Sequence, residues 1–541
     1  MRSTMMRVRL TLTHFLERAG RLFGGVEIVS RLPDKSLHRT TYADFHRRAR
    51  LLAEALQKAG VRKGDRVATL MWNHYAHYEA YFGIIASGGV LHTLNLRLAP
   101  DEIGYIASHA QDRFLIVDDV LLPLLAQFRD ATAIEKIIVV PLTGKPVPEG
   151  FIDYEAFLAS ASGDWDYPDM DEDDPIAMCY TSGTTGRPKG VVYSHRSQVL
   201  HSLVQCIPDS VGISGRDVIL PVVPMFHANA WGVPYAACML GAKMVFPGPH
   251  LHPEDLLPLL EGERVTVSCG VPTIWLGMIQ LLDRDPGRFR LDPGLRLTVG
   301  GSAVPESLIR GFARHGIDIL QGWGMTETSP LATVSRVNQL LGNLSEDERF
   351  ATQALQGYPL PLVDLRITGD EGEQPWDGEA VGEIQVHGPW ITGSYHELPQ
   401  SQDSFTADGW LRTGDVAAVT PEGYVRITDR TKDLIKSGGE WISSVDLENA
   451  IMGHPSVAEA AVIAVPHPKW AERPLAVVVL REGQSVTPEE LRAFLSGRFA
   501  RWAVPDAYEF VSSIPRTSTG KFLKTALRAT YKDWQWPDQA A

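Results

Sequence analysis

The sequence predicts an α/β protein: a large amino-terminal domain of two α/β lobes with a small β-rich subdomain, then a small α+β carboxy-terminal domain. Three observations lead there. Helix-period and strand-period segments alternate across residues 41–140 and again across 217–299, the pattern of helices covering a mainly parallel sheet. Beyond Ser345 the apolar runs become shorter and strand-rich. Near Asp429 polar residues and paired glycines interrupt the order, and the block that follows has the length of a small separate domain. The expected division is 1–428 for the large domain, 429–434 for a hinge and 435–541 for the small domain.

The elements follow in chain order. The opening stretch carries Arg2, Arg7 and Arg9, and its apolar residues are broken by Arg9, Thr11, Thr13 and His14 before a signal-peptide core develops, so a cytoplasmic protein is expected. Leu10–Phe23 reads as an amphipathic helix that either packs on the core or touches a membrane surface. Thr41 starts a helix with Leu51, Leu52, Ala55 and Leu56 on its apolar face, and Gly60 closes it. Strand-like VATLM, FLIVDD and IIVV complete the first lobe, and VILPVVP, AKMVFPG, VTVSCGVP and LRLTVGG build the second. Ser345 with Glu348 three residues on predicts a capped surface helix, and the strand-like YVRIT leads into the small domain.

Composition narrows the function classes. With 541 residues and 44% hydrophobic content, the chain exceeds one compact core. A formal net charge of −14 provides no broad basic field for a nucleic-acid backbone. The four cysteines, Cys179, Cys206, Cys238 and Cys269, are widely spaced without a CxxC pair, which disfavours disulfide frameworks and zinc sites. No uncharged apolar run reaches the roughly 18 residues of a membrane-spanning helix.

After the apolar strand IAMCY comes TSGTTGRPKG, Thr181 to Gly190. Its glycines let backbone N–H groups approach an anion, its hydroxyls donate further hydrogen bonds and Lys189 adds charge, so the loop suits a polyphosphate. It is not a Walker A loop, because Gly190 follows the lysine and a strand-like VVYS comes next. The string YTSGTTGRPKGVVYSH resembles the signature of the adenylate-forming superfamily of acyl-CoA synthetases, luciferases and nonribosomal adenylation domains. GWGMTE, RTGDVA, DRTKDLIKSGGEWIS and PRTSTGK follow in that family's order and extend the resemblance over essentially the whole chain.

The resemblance implies a role for each motif. Thr181, Ser182, Gly183, Thr184, Thr185, Gly186 and Lys189 bind the phosphates, and Gly301, Ser302 and Ala303, after Gly300, line the adenine pocket. Gly322, Trp323, Gly324, Met325 and Thr326 surround the nucleotide, with Trp323 standing where the family more often has Tyr and offering a flat face to adenine. Thr326, Glu327 and, in the phosphate loop, Thr184 supply hard oxygens suited to Mg²⁺. Asp415 accepts hydrogen bonds from the ribose hydroxyls, and Arg430 belongs to the same nucleotide site. His227 is similar to a family position beside the reacting carboxylate, with a core histidine as the other reading, and Trp231 resembles the gate of an acyl tunnel. His195 reads as structural.

On the small domain, Lys521 resembles the lysine that bridges carboxylate and α-phosphate during adenylation. Lys436 with Gly438, Gly439, Glu440 and Trp441 resembles the face that serves thioester formation and passes pantetheine. Lys432 matches the hinge, and Ala471 stands where many relatives carry Gly. The implied reaction joins a fatty acid to CoA with ATP and Mg²⁺ through an acyl-adenylate. A short or sulfur-containing acid, transfer to a carrier protein, luciferase-like oxidation and non-catalytic binding are the alternatives. Homodimerisation and peripheral membrane contact are also compatible with the resemblance.

Overall fold

The computed structural model describes residues 3–181, 187–398, 401–430, 433–437, 440–517 and 520–536. Among them the chain builds four β-sheets, three in the large domain and one in the small. The first large sheet runs, in spatial order, through Ile152–Asp153, Lys136–Val140, Phe114–Asp118, Arg66–Leu70, Val90–Thr93, Pro175–Tyr180 and Gly190–Ser194. Its pairs are parallel except the last, in which Gly190–Ser194 returns antiparallel along Pro175–Tyr180. Phe114–Asp118 is buried at every residue, as a parallel strand covered on both faces must be.

The second large sheet has a parallel centre: Arg296–Val299, Val267–Gly270, Val218–Pro221, Lys243–Phe246 and Glu27–Arg31. Asp318–Gly324 pairs parallel with Arg296–Val299 and antiparallel with Leu331–Val334. One continuous core joins the two large sheets, with Phe114 and Ile138 from the first and Ile28, Ile219 and Met244 from the second. Helix Tyr75–Ala86 lies in that core and is buried on all sides from Ala76 to Ala86. An apolar helix surface of that kind has no solvent face to present.

The expected local signals fall into place. Thr41 caps helix Tyr42–Lys58 by accepting from the Asp44 N–H, and Gly60, at φ 106°, turns the chain after it. Helix Thr13–Phe23 buries Phe15, Leu16 and Ala19, which favours core packing over membrane contact. Ser345 and Glu348 form a reciprocal capping box at helix Glu346–Gln353. No helix of the described residues is long and apolar enough to cross a membrane.

The third sheet of the large domain ends on Leu411–Val419 and Val425–Arg430. Asp429 and Arg430, assigned to the hinge from the sequence, complete this last strand, with Arg430 paired to Asp415. Ile427 packs on the large-domain core, whereas Ile435, Ile442 and Leu447 belong to a separate core with Val457, Val462, Ala476 and Val478. The two cores therefore meet around residues 428–434, and Lys432 lies outside the described residues. The small domain pairs Val457–His467 with Ala471–Leu480 along one edge, and the other edge of Ala471–Leu480 takes Ile435–Ser437, itself paired to Glu440–Ile442, at its start and Ala507–Phe510 in parallel further along.

Ala471 opens its strand at φ 68°, a left-handed conformation that costs a residue with a Cβ about 1–2 kcal/mol. Glycine removes that cost and adds unfolded-state entropy of about 0.5–1 kcal/mol. Ala471→Gly is therefore expected to raise small-domain stability by up to about 1 kcal/mol, read from the denaturant midpoint. A loss of stability contradicts the assigned conformation.

Candidate functional site

The site forms at the carboxyl ends of the parallel strands, where open α/β sheets expose backbone N–H groups and loops rather than covering helices. Strand Arg296–Val299 delivers Gly300 and Gly301, strand Val267–Gly270 delivers Cys269, and strand Asp318–Gly324 brings Trp323 beside them. Together with Lys189, His227, Trp231, Glu327, Arg430 and Lys521 they line a cavity of about 450 Å³.

The phosphate loop begins at Thr181, whose backbone N–H donates to the Lys189 carbonyl (2.9 Å) while its hydroxyl accepts from the Lys189 N–H (3.1 Å). These bonds close the loop at its base. Ser182, Gly183, Thr184, Thr185 and Gly186 lie outside the described residues. The Lys189 ammonium sits 4.6 Å from the Tyr395 ring centroid and 3.4 Å from the Ser404 hydroxyl. The Tyr395 hydroxyl donates to Glu327 (2.7 Å), a carboxylate that is 6% exposed. Burial raises the Glu327 pKa, and the Tyr395 bond with the Arg430 and Lys189 charges opposes that shift. Sequence reasoning missed Tyr395, which lies in a loop without a recognised motif.

Asp415 is the second buried carboxylate. Arg430 Nε meets its Oδ1 at 2.9 Å, and the Trp323 indole N–H donates to its Oδ2 at 2.9 Å. A carboxylate has about four acceptor positions, so both oxygens retain capacity for a diol. The Trp323 indole thus uses its one donor within the protein and keeps its ring at the cavity wall. The glycines around it are there for close approach. A Cβ on Gly324 would lie 1.7 Å from the Pro330 carbonyl oxygen, and one on Gly300 would lie 2.8 Å from the Gly322 carbonyl oxygen. Gly301, Ser302 and Ala303 border a second, adjoining cavity that also reaches Asp415 and Lys521, and Met325 and Thr326 line the first.

The lining of the main cavity also includes the apolar Val211, Val233, Val267, Cys269 and Val299, with Gln205 beside them. His227 and Trp231 line the same cavity. Burial, then the Lys521 and Arg97 charges, push the His227 pKa down to about 3, so its imidazole is neutral at physiological pH. The chain from Ala228 to Trp231 forms a left-handed turn with φ of 42°, 51°, 50° and 58°, followed by Gly232 at 74°. Four non-glycine residues in this region cost on the order of several kcal/mol. The Trp231 carbonyl is held by the Gln205 side-chain N–H at 2.6 Å, and Trp231 is 9% exposed. Neither Gln205 nor the turn was visible in the sequence, where a polar residue on a helix reads as surface.

Lys521 reaches this cavity from the small domain. Arg516 and Phe522 bridge antiparallel, the Thr517 N–H donates to the Lys521 carbonyl (2.7 Å), and Gly520 turns at φ 90°. The hairpin tip rests on the large domain, since a Cβ on Gly520 would lie 3.4 Å from both Val271 and Thr273. The Lys521 Cε is 3.5 Å from where a Cβ on Gly301 would be. Burial and the Arg430 charge lower the Lys521 pKa to about 8, against the opposing pull of Asp415 and Glu327.

Lys436 is elsewhere. It is exposed on strand Ile435–Ser437, its ammonium 5.2 Å from the ring centroid of Trp441, which is 55% exposed. Gly438 and Gly439 lie outside the described residues, and Glu440 belongs to strand Glu440–Ile442. Only one of the two small-domain lysines therefore shares the cavity. His195 accepts from the Leu12 backbone N–H at 3.1 Å and is buried away from the cavity, consistent with a structural residue.

The family model described as AMP-binding enzyme matches residues 16–396, and the model for the AMP-binding enzyme C-terminal domain matches 446–521. A long-chain-fatty-acid–CoA ligase of Thermus thermophilus is 53% identical over 98% of this chain and 97% of its own. A 3-methylmercaptopropionyl-CoA ligase of Ruegeria pomeroyi is 44% identical over 98% of both. Among solved structures, ATP-bound MatB from Rhodopseudomonas palustris is 28% identical with a TM-score of 0.80, covering 97% of this chain and 99% of that one. The chain belongs to the AMP-binding enzyme family.

Proposed function

We propose that this protein is an AMP-forming acid–thiol ligase that joins a fatty acid to CoA at the expense of ATP. The observation that carries the reading is the meeting of Lys189, Glu327 and Lys521 with apolar residues in one cavity, while Lys521 also borders the adjoining cavity lined by Asp415. A nucleotide with its phosphates suits the polar side, and an aliphatic chain suits Val211, Val233, Val267 and Val299.

In the first half-reaction a carboxylate oxygen bonds to the α-phosphorus and the bond to pyrophosphate breaks. Two anions must approach each other, and Lys521 is the cation assigned to lie between them. His227, being neutral, contributes a hydrogen bond rather than charge. Asp415 takes the ribose hydroxyls, steadied by Arg430 and Trp323. Glu327 would hold the magnesium ion of MgATP, and a cation there would favour the charged carboxylate that burial disfavours. Among the described residues no group of three or more His, Cys, Asp or Glu could hold a metal, so Glu327 would share the ion with phosphate oxygens and with hydroxyls such as that of Thr326. Magnesium supplies neutralisation of the phosphate charge. In the second half-reaction the CoA thiol loses its proton, sulfur bonds to the acyl carbon and AMP leaves. The exposed Lys436 and Trp441 face is assigned to that step, after the small domain turns about Lys432.

The test is a panel of carboxylic acids, from 3-methylmercaptopropionate through medium- to long-chain fatty acids, assayed for CoA-dependent AMP release. Fatty acids should lead the panel, and Trp231→Ala should change the order of acids while leaving the KM for ATP within about twofold. A lead for the sulfur acid, or CoA-independent turnover, overturns the fatty-acid reading.

Lys521→Ala should slow acid-dependent pyrophosphate exchange by about 10²-fold or more and leave CoA attack on supplied acyl-AMP near the wild-type rate. Lys436→Ala should do the reverse. Equal damage to both half-reactions contradicts the division of labour.

The Lys521 pKa near 8 adds a pH signature. Below it the ammonium is present, and as pH rises through it the charge between the two anions is lost. The kcat/KM of adenylation should fall on the alkaline side with an apparent pKa near 8, because that ratio reports the free enzyme. Lys521→Arg, which stays charged, should lose this limb even where its rate is lower.

A further inference from the structure

Immediately after the Arg430 and Asp415 pair, the two domains are tied by a buried polar chain outside the cavity's reacting centre. Asp429, 1% exposed and still part of the large-domain strand Val425–Arg430, accepts on Oδ2 from the Ser444 backbone N–H (2.8 Å) and the Ser444 hydroxyl (2.5 Å). Ser444 opens the small-domain helix Ser444–Met452 and is fully buried. Its hydroxyl oxygen accepts in turn from the Lys524 ammonium (2.5 Å), which pairs with Glu448 at 2.7 Å. Glu448 also accepts from the Val462 N–H at 2.7 Å. One residue earlier, the Ser443 hydroxyl donates to the Thr428 carbonyl, adding a second link across the same junction.

Lys524 stands three residues beyond Lys521 and begins helix Lys524–Thr530. One turn later Arg528 pairs with Asp433 at 2.5 Å. The segment that carries Lys521 is thus clamped just behind its tip to the strand that carries Arg430. The chain divides at one point under a domain rotation about the residues between Arg430 and Asp433. Lys524, Glu448 and Ser444 travel together within the small domain, whereas Asp429 stays with the large one. Rotation keeps the Lys524–Glu448 pair and strips Asp429 of two donors, leaving a buried carboxylate to be hydrated or paired anew.

We infer that Ser444 and Lys524 are positioning residues that hold the small domain in the orientation that keeps Lys521 in the cavity, and so set the balance between the two half-reactions. This rests on the two-step reading above. The latch favours adenylation and opposes the turn to the thioester-forming face. Its loss shifts the enzyme toward the second step without touching a reacting group.

The experiment compares Ser444→Ala, Ser444→Thr and the charge-matched double variant Lys524→Met with Glu448→Gln, which leaves no unpaired ion in the small domain. In each, acid-dependent pyrophosphate exchange and CoA consumption of supplied acyl-AMP are measured in single turnover. A distance probe between one label on each domain reports orientation independently of activity. Ser444→Ala and the double variant should lower exchange about five- to tenfold, leave the CoA step unchanged or faster and lower the population at the adenylating distance. Ser444→Thr, which keeps the hydroxyl, should retain the wild-type ratio. A ratio of the two rates within twofold of wild type in Ser444→Ala overturns the inference, as does an equal loss in both steps. The same holds if Ser444→Thr behaves like Ser444→Ala. If the wild-type protein itself lacks one half-reaction, the proposed function fails, and the label distances still decide whether Ser444 holds the orientation.

Discussion

The Arg430–Asp415 ion pair, Nε to Oδ1 at 2.9 Å, joins most of what the site needs. The two residues face each other across neighbouring antiparallel strands, so the sheet itself sets their register. Trp323 reaches the same carboxylate from a different sheet, which locks two layers of the large domain together at the nucleotide position. Arg430 is also the last residue of its strand, so this pair, proposed to hold the nucleotide, stands at the point where the small domain departs. A single buried carboxylate thereby ties the proposed nucleotide site to the strand end from which the small domain departs.

Around it the site gathers charges that would repel one another in isolation. Lys189, Arg430 and Lys521 are offset by Glu327 and Asp415 across two adjoining, partly buried cavities. In such a medium each charge is felt strongly by its neighbours, and the Lys521 and Glu327 pKa values move in the directions that burial imposes. In the main cavity Arg187, Lys189, Arg412, Arg430 and Lys521 outnumber Glu327, Glu383 and Asp403, which suits a ligand that carries negative charge. His227 is held neutral by the same environment, so it adds no charge beside the apolar residues of the cavity.

The small domain offers two chemically different faces, and the structure has one of them engaged. The hairpin with Lys521 is inserted against Val271 and Thr273, while Lys436, Trp441 and Trp470 remain exposed. Aromatic rings beside ammonium groups, as in Lys436 over Trp441 and Lys469 over Trp470, give that open face a character suited to covering a second substrate. In the proposed exchange between the faces, the polar chain through Asp429, Ser444 and Lys524 breaks at the two hydrogen bonds to Asp429, together with the Ser443 link to the Thr428 carbonyl and the seat of the Lys521 hairpin.

The α/β class, the two lobes, the late β-rich segment and the small last domain were legible in the sequence because each rests on local periodicity and turn chemistry. So was the family, because its loops need glycines, hydroxyls and lysines at fixed spacings that few other folds require. The pairing of Trp323 with Asp415, of Tyr395 with Glu327 and of Gln205 with Trp231 was not, since each joins residues separated by 26 to 92 positions. The left-handed turn at Ala228–Trp231 also escaped, because alanine and tryptophan carry no local preference for it and only the surrounding packing imposes it. Most of all, the sequence named Lys521 and Lys436 without deciding between them. Tertiary structure brought Lys521 to Gly301 and left Lys436 in solvent, because one rigid domain can seat only one of its faces against the cavity at a time.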